Sequence, residues 1–134
     1  WKPIGAKYPA TWNVDRVGGT EKTFCCFNAT ARDYARVGLA MLNGGQAGAK
    51  QVIDANWLAR MTTPVTTLDH GWGYSAFVWH PFPGIYQAEG LHGQFIFMNP
   101  TTRTVIVKLS DNPTGQDETV PTSKVLREIS EKLS

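Results

Sequence analysis

The residue types best suited to chemistry lie together in Gly90–Gln94, which reads Gly-Leu-His-Gly-Gln between two runs of β-forming side chains. Two glycines at the end of a strand indicate close approach of the backbone to another group, often a ligand, and a β-bulge or turn gives the same pattern. Cys25 or Cys26 could pair with His92 as nucleophile and base, but nothing near them in the sequence lowers a thiol pKa. The stretch therefore predicts either a backbone-lined site or a turn.

Other candidate motifs lack the context that their chemistry needs. Gly73–Phe77 has a serine at its centre, as a nucleophile elbow does, but it lacks the closing glycine and lies in a predicted strand. The motifs Ser-x-x-Lys and Tyr-x-Asn do not occur in the chain. His70, His80 and His92 lack the short spacing of a zinc site, so we predict no metal and no cofactor.

Length and composition predict one modest domain. The chain has 134 residues, of which 42% are hydrophobic and 18% charged. The formal net charge is +2 without a basic cluster, which argues against nucleic acid or an anionic membrane as a partner. No apolar run approaches the ~20 residues of a membrane span. The first residue is Trp1 rather than methionine, which suggests a partial or processed chain.

Cys25 and Cys26 are the only cysteines, and they are adjacent. Because a bridge between neighbouring residues strains the backbone, we expect two free thiols and no disulfide framework. This expectation leans weakly toward a reducing, cytoplasmic compartment, and the localisation stays open.

Helices are predicted where a cap residue precedes apolar residues at helical spacing. Thr30, with Asp33 in a capping-box relation, begins a helix that Gly44-Gly45 can end. Asp54 begins a shorter helix that stops before Pro64. A last helix has an apolar stripe of four residues. These are Val125, Leu126, Ile129 and Leu133.

Four strands are predicted, at residues 74–79, 85–89, 95–98 and 104–109, with a loop at residues 66–73. The last two strands flank Asn99-Pro100, which is typical of a hairpin turn. In both strands the apolar residues are consecutive and do not alternate with polar ones, so both faces of the sheet should be covered. The predicted fold class is α+β, an antiparallel sheet covered by helices on both faces.

Segments along almost the whole chain resemble one known family. They are Trp1–Ala6, Trp12 with Asp15, Asn28–Arg36, Gly44-Gly45, Val52–Asp54 with Trp57, Gly90–Gln94, Asn99-Pro100 and Val105–Ser110. In this order and spacing they are similar to the carboxy-terminal part of the serine β-lactamase-like hydrolases, in the branch of class C β-lactamases, esterases and aminohexanoate-dimer hydrolases. The resemblance implies a β-lactamase/transpeptidase-like fold, with residues 1–134 forming a single partial domain.

The resemblance also implies roles for individual residues. In the family, Ser-x-x-Lys supplies the serine and lysine of the active site and Tyr-x-Asn a tyrosine, both upstream of the segment that corresponds to Trp1. The family's Lys-Thr-Gly falls on Ala88-Glu89-Gly90, without its lysine. The backbone N–H of Leu91 would then be one oxyanion donor, and glycine at position 90 would leave room for the acyl group. The implied substrate-binding set is Glu89, Gly90, His92, Gly93, Gln94, Cys26, Phe27 and Asn28.

A three-residue match to a further motif of some β-lactamases carries less weight. Ser110-Asp111-Asn112 has the right letters, but it follows the glycine-rich strand, whereas the family order would place it before that strand. We interpret it as a turn at the end of a strand.

The leading hypothesis is the carboxy-terminal segment of a serine hydrolase that acts on small-molecule amides or esters. Enzyme activity of this chain alone stays uncertain, because both catalytic motifs are absent. The expected partner is an upstream segment that carries the catalytic serine, or else a second copy of the chain. The alternatives are a non-catalytic binding or structural domain with the same fold, and an inactive piece of the enzyme. A ligand bound at Gly90–Gln94 without acyl transfer would favour the binding domain.

Overall fold

The computed structural model describes residues 1–113 and 118–133. Over these residues a short 3₁₀ helix, three α-helices and ten β-strands form. The helices are the 3₁₀ helix Lys2–Ile4, α1 (Ala31–Leu42), α2 (Ala55–Thr62) and α3 (Thr119–Lys132). The strands are β1 (Thr11–Trp12), β2 (Phe27–Asn28), β3 (Gln46–Ala47), β4 (Lys50–Gln51), β5 (Thr66–Thr67), β6 (Gly73–Ser75), β7 (Val78–Phe82), β8 (Ile85–Gly90), β9 (Gln94–Asn99) and β10 (Thr104–Lys108).

Six strands form the main sheet, in the order β10, β9, β8, β7, β6 and β5. Every neighbouring pair is antiparallel and consecutive along the chain, so the sheet is a meander. The pairs β1–β2 and β3–β4 form two small sheets of their own. The predicted combination of helices with an antiparallel sheet is confirmed, and the sheet has more strands than predicted.

The sequence interpretation is wrong between Thr66 and Trp79. The predicted loop contains β5, and the predicted strand at residues 74–79 is instead the pair β6 and β7, joined at Ala76-Phe77. Phe77 has a φ of 61°, a left-handed conformation that residues other than glycine, asparagine or aspartate rarely adopt. A phenylalanine carries no turn signal, so the pattern of side chains reads as one continuous strand.

Two apolar clusters lie on the main sheet. Met98 of β9 belongs to one cluster with Met41 of α1 and Leu58 of α2. Phe97, the preceding residue of the same strand, belongs to the other cluster with Leu126 of α3. Because successive strand residues point to opposite faces, α1 and α2 pack on one face and α3 on the other.

α1 begins at the predicted cap. Thr30 Oγ1 accepts a hydrogen bond from the backbone N–H of Asp33 at 3.3 Å. The buried Asp33 carboxylate does not close a capping box, because it accepts from the backbone N–H groups of Lys7 and Tyr8 at 2.9 and 3.1 Å. The bond from Lys7 is the main cause that lowers the pKa of Asp33 below its ordinary value. Asp33 therefore ties the amino-terminal segment to the helix.

Gly38 allows α1 to lie very close to the sheet. A Cβ atom at position 38 would be 2.6 Å from Val105 Cγ1 and 3.2 Å from Ile96 Cγ2. The contact between this helix and strands β9 and β10 therefore depends on the absence of a side chain at position 38.

α2 begins and ends as predicted. Asp54 Oδ1 accepts a hydrogen bond from the backbone N–H of Trp57 at 2.9 Å, and the helix ends at Thr62, before Pro64. Leu58 is buried, whereas Trp57 is 44% exposed and lies under the Arg60 guanidinium at 4.9 Å.

The predicted apolar stripe of α3 is wrong. Leu126 is buried, but Val125, Ile129 and Leu133 are 53%, 41% and 69% exposed. The face that packs on the sheet instead carries Ser123 and Ser130, which are fully buried.

Hydrogen bonds to the sheet explain which face of α3 is buried. Ser123 Oγ and the side-chain amide of Gln87 in β8 exchange hydrogen bonds at 3.0 and 3.1 Å. Asn99 Nδ2 of β9 donates to Ser130 Oγ at 2.9 Å. Buried amides need such partners, so two polar pairs outweigh the apolar stripe in setting the rotation of the helix.

The expectation of two free thiols is also wrong. Cys25 and Cys26 form a disulfide, and no free cysteine occurs in the described chain. Cys26 has a φ of 73°, and its carbonyl accepts hydrogen bonds from Asn13 N at 3.1 Å and Asn28 Nδ2 at 3.2 Å. These bonds hold the chain in the sharp turn that neighbouring cysteines need to bridge. The bridge removes the basis for a lean toward a reducing compartment.

Candidate active-site turn

The turn between β8 and β9 is the centre of the candidate site. It consists of Leu91, His92 and Gly93, and the strands on either side pair Gly90 with Gln94. The backbone N–H of Gly93 donates to the carbonyl of Gly90 at 3.0 Å, and Gly93 has a φ of 76°. A three-residue hairpin loop takes this form when a turn is followed by a left-handed residue, which glycine adopts without strain.

Leu91 presents its backbone at the end of strand β8. Its side chain is 81% exposed. Within residues 1–113 and 118–133 its N–H donates to no hydrogen-bond acceptor, whereas those of His92 and Gly93 do. An N–H group that is held in place and unpaired can stabilise a negative charge without reorganising.

Residues from β10 and the segment after it hold the turn from one side. Lys108 Nζ donates to the carbonyl of Gly93 at 2.9 Å. The backbone N–H of Asn112 donates to the carbonyl of His92 at 3.1 Å, and the carbonyl of Asn112 lies 2.9 Å from His92 Nδ1. Because a carbonyl only accepts, Nδ1 of His92 carries a proton in this arrangement, which leaves Nε2 as the acceptor of the neutral ring.

Gln94 fills the space beside Gly90. A Cβ atom at position 90 would clash with Gln94 Oε1. In this structure the Gln94 amide occupies that side of the strand. That glycine at position 90 leaves room for an acyl group stays a prediction, because the amide is the far end of a flexible side chain and can move.

Glu89 faces α3 rather than the turn. One of its carboxylate oxygens accepts from Thr119 Oγ1 in the first turn of α3, and the other accepts from Gln87 Nε2 at 3.2 Å. This half-buried carboxylate lies on the face of the sheet that carries the buried pair of Gln87 and Ser123. Its described contacts are those of a residue that fastens helix to sheet.

The second predicted group, Cys26–Asn28, includes the short strand β2 and contacts aromatic side chains. Phe27 packs its ring against Trp1, Trp12 and Tyr34 at centroid distances of 5.1, 5.4 and 6.1 Å. The hydroxyl of Tyr34 donates to the carbonyl of Phe27. No hydrogen bond, ion pair or ring contact of the described residues joins this group to Gly90–Gln94. That Cys26, Phe27 and Asn28 bind substrate together with the turn stays a prediction.

Sequence reasoning missed Lys108 and gave Asn112 no role in the site. Lys108 closes the run that precedes Ser110, and its position at the end of a strand is an ordinary place for a solvated lysine. Ser110-Asp111-Asn112 follows the end of β10 as irregular chain, and the interpretation of this stretch as a turn is not confirmed. Two hydrogen bonds join Asn112 and His92 across 20 residues of sequence, and no short motif predicts them.

A serine and a histidine also meet at Ser75 and His80. His80 Nε2 lies 2.8 Å from Ser75 Oγ, and Ser75 Oγ donates to the carbonyl of Met61. Because the single hydroxyl hydrogen goes to that carbonyl, His80 Nε2 is the donor of the pair and cannot take the proton of the serine. Burial lowers the pKa of His80, which favours the neutral ring. The pair fastens the β6–β7 hairpin to α2.

Two further searches cover the described residues only. There, no three His, Cys, Asp or Glu side chains are grouped so that they could hold a metal ion. Nor does that part of the chain contain a helix with the length and apolarity to cross a membrane.

Comparison with known proteins identifies the family. Residues 3–129 match the family model described as Beta-lactamase. The chain belongs to the β-lactamase family. The match runs through all three helices up to the last turns of α3, and through every strand. The resemblance seen in the sequence is thereby confirmed.

The relatives in this family include 6-aminohexanoate-dimer hydrolases. The chain is 33% identical over 129 residues to the 6-aminohexanoate-dimer hydrolase of Paenarthrobacter ureafaciens, covering 84% of this chain and 32% of that protein. It superposes with a TM-score of 0.82 and 26% identity on a Bacillus anthracis protein provisionally described as a 6-aminohexanoate-dimer hydrolase, covering 97% of this chain and 35% of the other. The chain thus spans about a third of the length of both relatives.

Proposed function

We propose that this chain is the carboxy-terminal part of a serine hydrolase of amides or esters, in which Leu91 N–H is one of the two oxyanion donors. The observation that carries the proposal is the unpaired N–H of Leu91 at the end of β8, in a turn that Gln94 and Lys108 hold in place. Family membership supports the serine chemistry. The length of the match supports the assignment to a part of a longer hydrolase, since the relatives are about three times as long.

The proposed mechanism divides the chemistry between this chain and an upstream segment. The upstream segment supplies a serine and a lysine from Ser-x-x-Lys and a tyrosine from Tyr-x-Asn. Neither of these two motifs occurs in this sequence. The serine oxygen attacks the substrate carbonyl, while lysine and tyrosine take its proton and deliver it to the leaving group. The carbonyl oxygen gains negative charge, which the N–H groups of Leu91 and of the serine stabilise. Water then hydrolyses the acyl-enzyme.

The names of the relatives suggest the substrate. Both are described as acting on the 6-aminohexanoate dimer, and we extend this to the chain as a candidate substrate. Beside the turn, Lys108 Nζ has donors beyond the one that it gives to the Gly93 carbonyl, and His92 Nε2 is an acceptor, so the two suit the polar ends of such a molecule. The position of Glu89, turned toward α3, removes it from the set that we propose to contact substrate.

The surface of the chain supports an upstream partner. Strand β10 is the last strand of the sheet and pairs only with β9, so one of its edges presents backbone groups to another segment. The outward face of α3 carries the apolar residues Val125, Ile129 and Leu133. A strand edge beside an apolar helix face suits association with the upstream segment, or with a second copy of the chain.

A non-catalytic binding domain is the alternative. The observation that favours it is the Gln94 amide, which fills the space beside Gly90 where the acyl group was expected. In that case the Leu91 N–H would bind an anionic group of a ligand without acyl transfer.

The test assembles the two parts. This chain and the upstream segment of the Paenarthrobacter relative are expressed separately and together, and hydrolysis of a p-nitrophenyl ester and of the 6-aminohexanoate dimer is measured. We expect turnover, and labelling of the upstream serine by a fluorophosphonate, only when both parts are present. A complex that forms but neither labels nor hydrolyses would favour the binding domain. Turnover by the chain alone, abolished by the phosphonate, would refute the division of the chemistry.

A further inference from the structure

The side-chain amide of Gln94 spans the candidate turn. Gln94 Oε1 accepts from the backbone N–H of His92 at 3.3 Å, and Gln94 Nε2 donates to the carbonyl of Ser110 at 2.7 Å. The second bond fixes the orientation of the amide, because a carbonyl can only accept and so must face the NH₂ group. The oxygen is left facing His92.

The hydrogen bonds of the turn leave one candidate donor. The N–H of Gly93 is taken by the carbonyl of Gly90, and that of His92 by Gln94 Oε1. Leu91 is the remaining residue of the turn, and its N–H is unpaired in the described chain. Gln94 therefore decides between two neighbouring N–H groups, since without its oxygen those of both Leu91 and His92 would be open.

We propose that Gln94 is a positioning residue that selects Leu91 N–H as the oxyanion donor by occupying the N–H of His92 and fastening the turn to Ser110. This inference rests on the proposed function, and it assigns to Gln94 a role other than contact with substrate. Gly90 accommodates the amide in this position, because a Cβ atom at position 90 would meet Gln94 Oε1.

Substitution of Gln94 separates the two bonds. Gln94→Leu keeps approximate volume and removes both, so the His92 amide should exchange its hydrogen with solvent at least on the order of tenfold faster. Gln94→Glu keeps an oxygen for His92 and loses the donor to Ser110, so exchange at His92 should lie between parent and Gln94→Leu. The Leu91 amide should exchange quickly in all three. Residue-resolved exchange by NMR on the ¹⁵N-labelled chain measures these rates without any need for catalysis.

Kinetics of the assembled enzyme provide the second readout. Gln94→Leu should lower kcat on the order of tenfold while KM stays close to the parent value, because the loss falls on the transition state rather than on substrate binding. Gln94→Glu should recover part of that loss. Gln51→Leu is the matched control, since the amide of Gln51 in β4 also bridges two backbone groups outside the turn. It donates to the carbonyls of Gly44 at 2.9 Å and Ile53 at 2.6 Å. It should leave kcat and KM unchanged.

The outcomes distinguish a failure of the positioning role of Gln94 from a failure of the proposed function. Unchanged exchange at His92 in a folded Gln94→Leu chain overturns the positioning role, whatever the kinetics show. Faster exchange with unchanged kcat also overturns it, and the function stands if Leu91→Pro still abolishes turnover. A rise in KM alone would show that Gln94 contacts substrate instead. If neither Gln94→Leu nor Leu91→Pro alters the rate, the donor assignment and the positioning role both fail.

Discussion

Leu91→Pro removes the proposed donor and leaves most of the fold as it is. Leu91 occupies the second position of the turn that the Gly93 N–H closes onto the Gly90 carbonyl at 3.0 Å. Proline is favoured at that position of a β-turn, and its missing N–H makes no hydrogen bond in the described chain. The Leu91 side chain is 81% exposed, so its replacement removes few packing contacts. The substitution should therefore cost the fold little.

The effect on catalysis should be large in comparison. Loss of one oxyanion donor lowers kcat by about 10²–10³, equivalent to about 2.7–4 kcal/mol of transition-state stabilisation. Leu91→Ala keeps the N–H and removes the exposed side chain, so its kcat should stay close to that of the parent. The pair thus separates the backbone from the side chain at a single position.

The assay is the acylation rate of the enzyme assembled from this chain and the upstream segment, measured by stopped flow with a p-nitrophenyl ester. Circular dichroism and a melting curve first establish that each variant is folded. A folded Leu91→Pro enzyme that acylates at the parent rate would refute the reasoning, and the N–H groups of His92, Gly93 and Gln94 would then be the candidates.

Two further predictions concern stability of the chain. Asp33→Asn should lower the melting temperature at neutral pH, because the pKa of Asp33 is lower in the folded chain than in the unfolded chain. The ionised carboxylate therefore contributes to folding stability above the unfolded pKa of about 3.9, and this contribution is lost as the pH falls through the folded-state pKa. Melting temperatures of parent and variant should converge below about pH 4, and curves that stay parallel into stronger acid would contradict this. Gly38→Ala should lower the free energy of urea unfolding by about 1–3 kcal/mol, because the new Cβ atom would lie 2.6 Å from Val105 Cγ1. Replacing glycine by alanine inside a helix otherwise raises stability by about 1 kcal/mol. A higher urea midpoint would show that α1 moves away at no cost.

The elements that the sequence predicts correctly are set by residues close together in the chain. Thr30 and Asp54 cap their helices through bonds that span three residues. The hairpin of β9 and β10 follows from Asn99-Pro100 between two β-forming runs. Interactions of this range are contained in the local pattern.

The elements that the sequence misses depend on distant partners. The face of α3 is decided by Ser123 and Ser130, whose partners Gln87 and Asn99 lie 36 and 31 residues away. A helical wheel ranks serine below valine or isoleucine for burial, so it gives the wrong rotation. The turn at Phe77 is missed for a different reason. The surrounding structure holds Phe77 in a left-handed conformation that a phenylalanine side chain disfavours.

The candidate site divides in the same way. Gly90–Gln94 stands out because two glycines flank a histidine beside a strand, and the structure does form one turn there. The interactions that hold this turn come from Lys108, Ser110 and Asn112, which the pairing of β9 with β10 brings beside it. Backbone strain argues against a disulfide between the neighbouring Cys25 and Cys26, but hydrogen bonds to the Cys26 carbonyl hold the chain in the turn that the bridge needs.

The two polar pairs beneath α3 give the helix a fixed axial setting. Ser123 and Ser130 are seven residues apart, about 10 Å along the axis, and each meets a different strand. An apolar interface tolerates sliding, whereas hydrogen bonds do not. A shift of one turn would break the bonds of Ser123 to Gln87 and of Ser130 to Asn99, at about 0.5–1.5 kcal/mol for each bond lost. The exposed residues Val125, Ile129 and Leu133 are therefore presented at a constant height and angle to any segment that docks beside β10. A docking partner would meet a preformed surface and would spend none of its binding energy on orienting the helix.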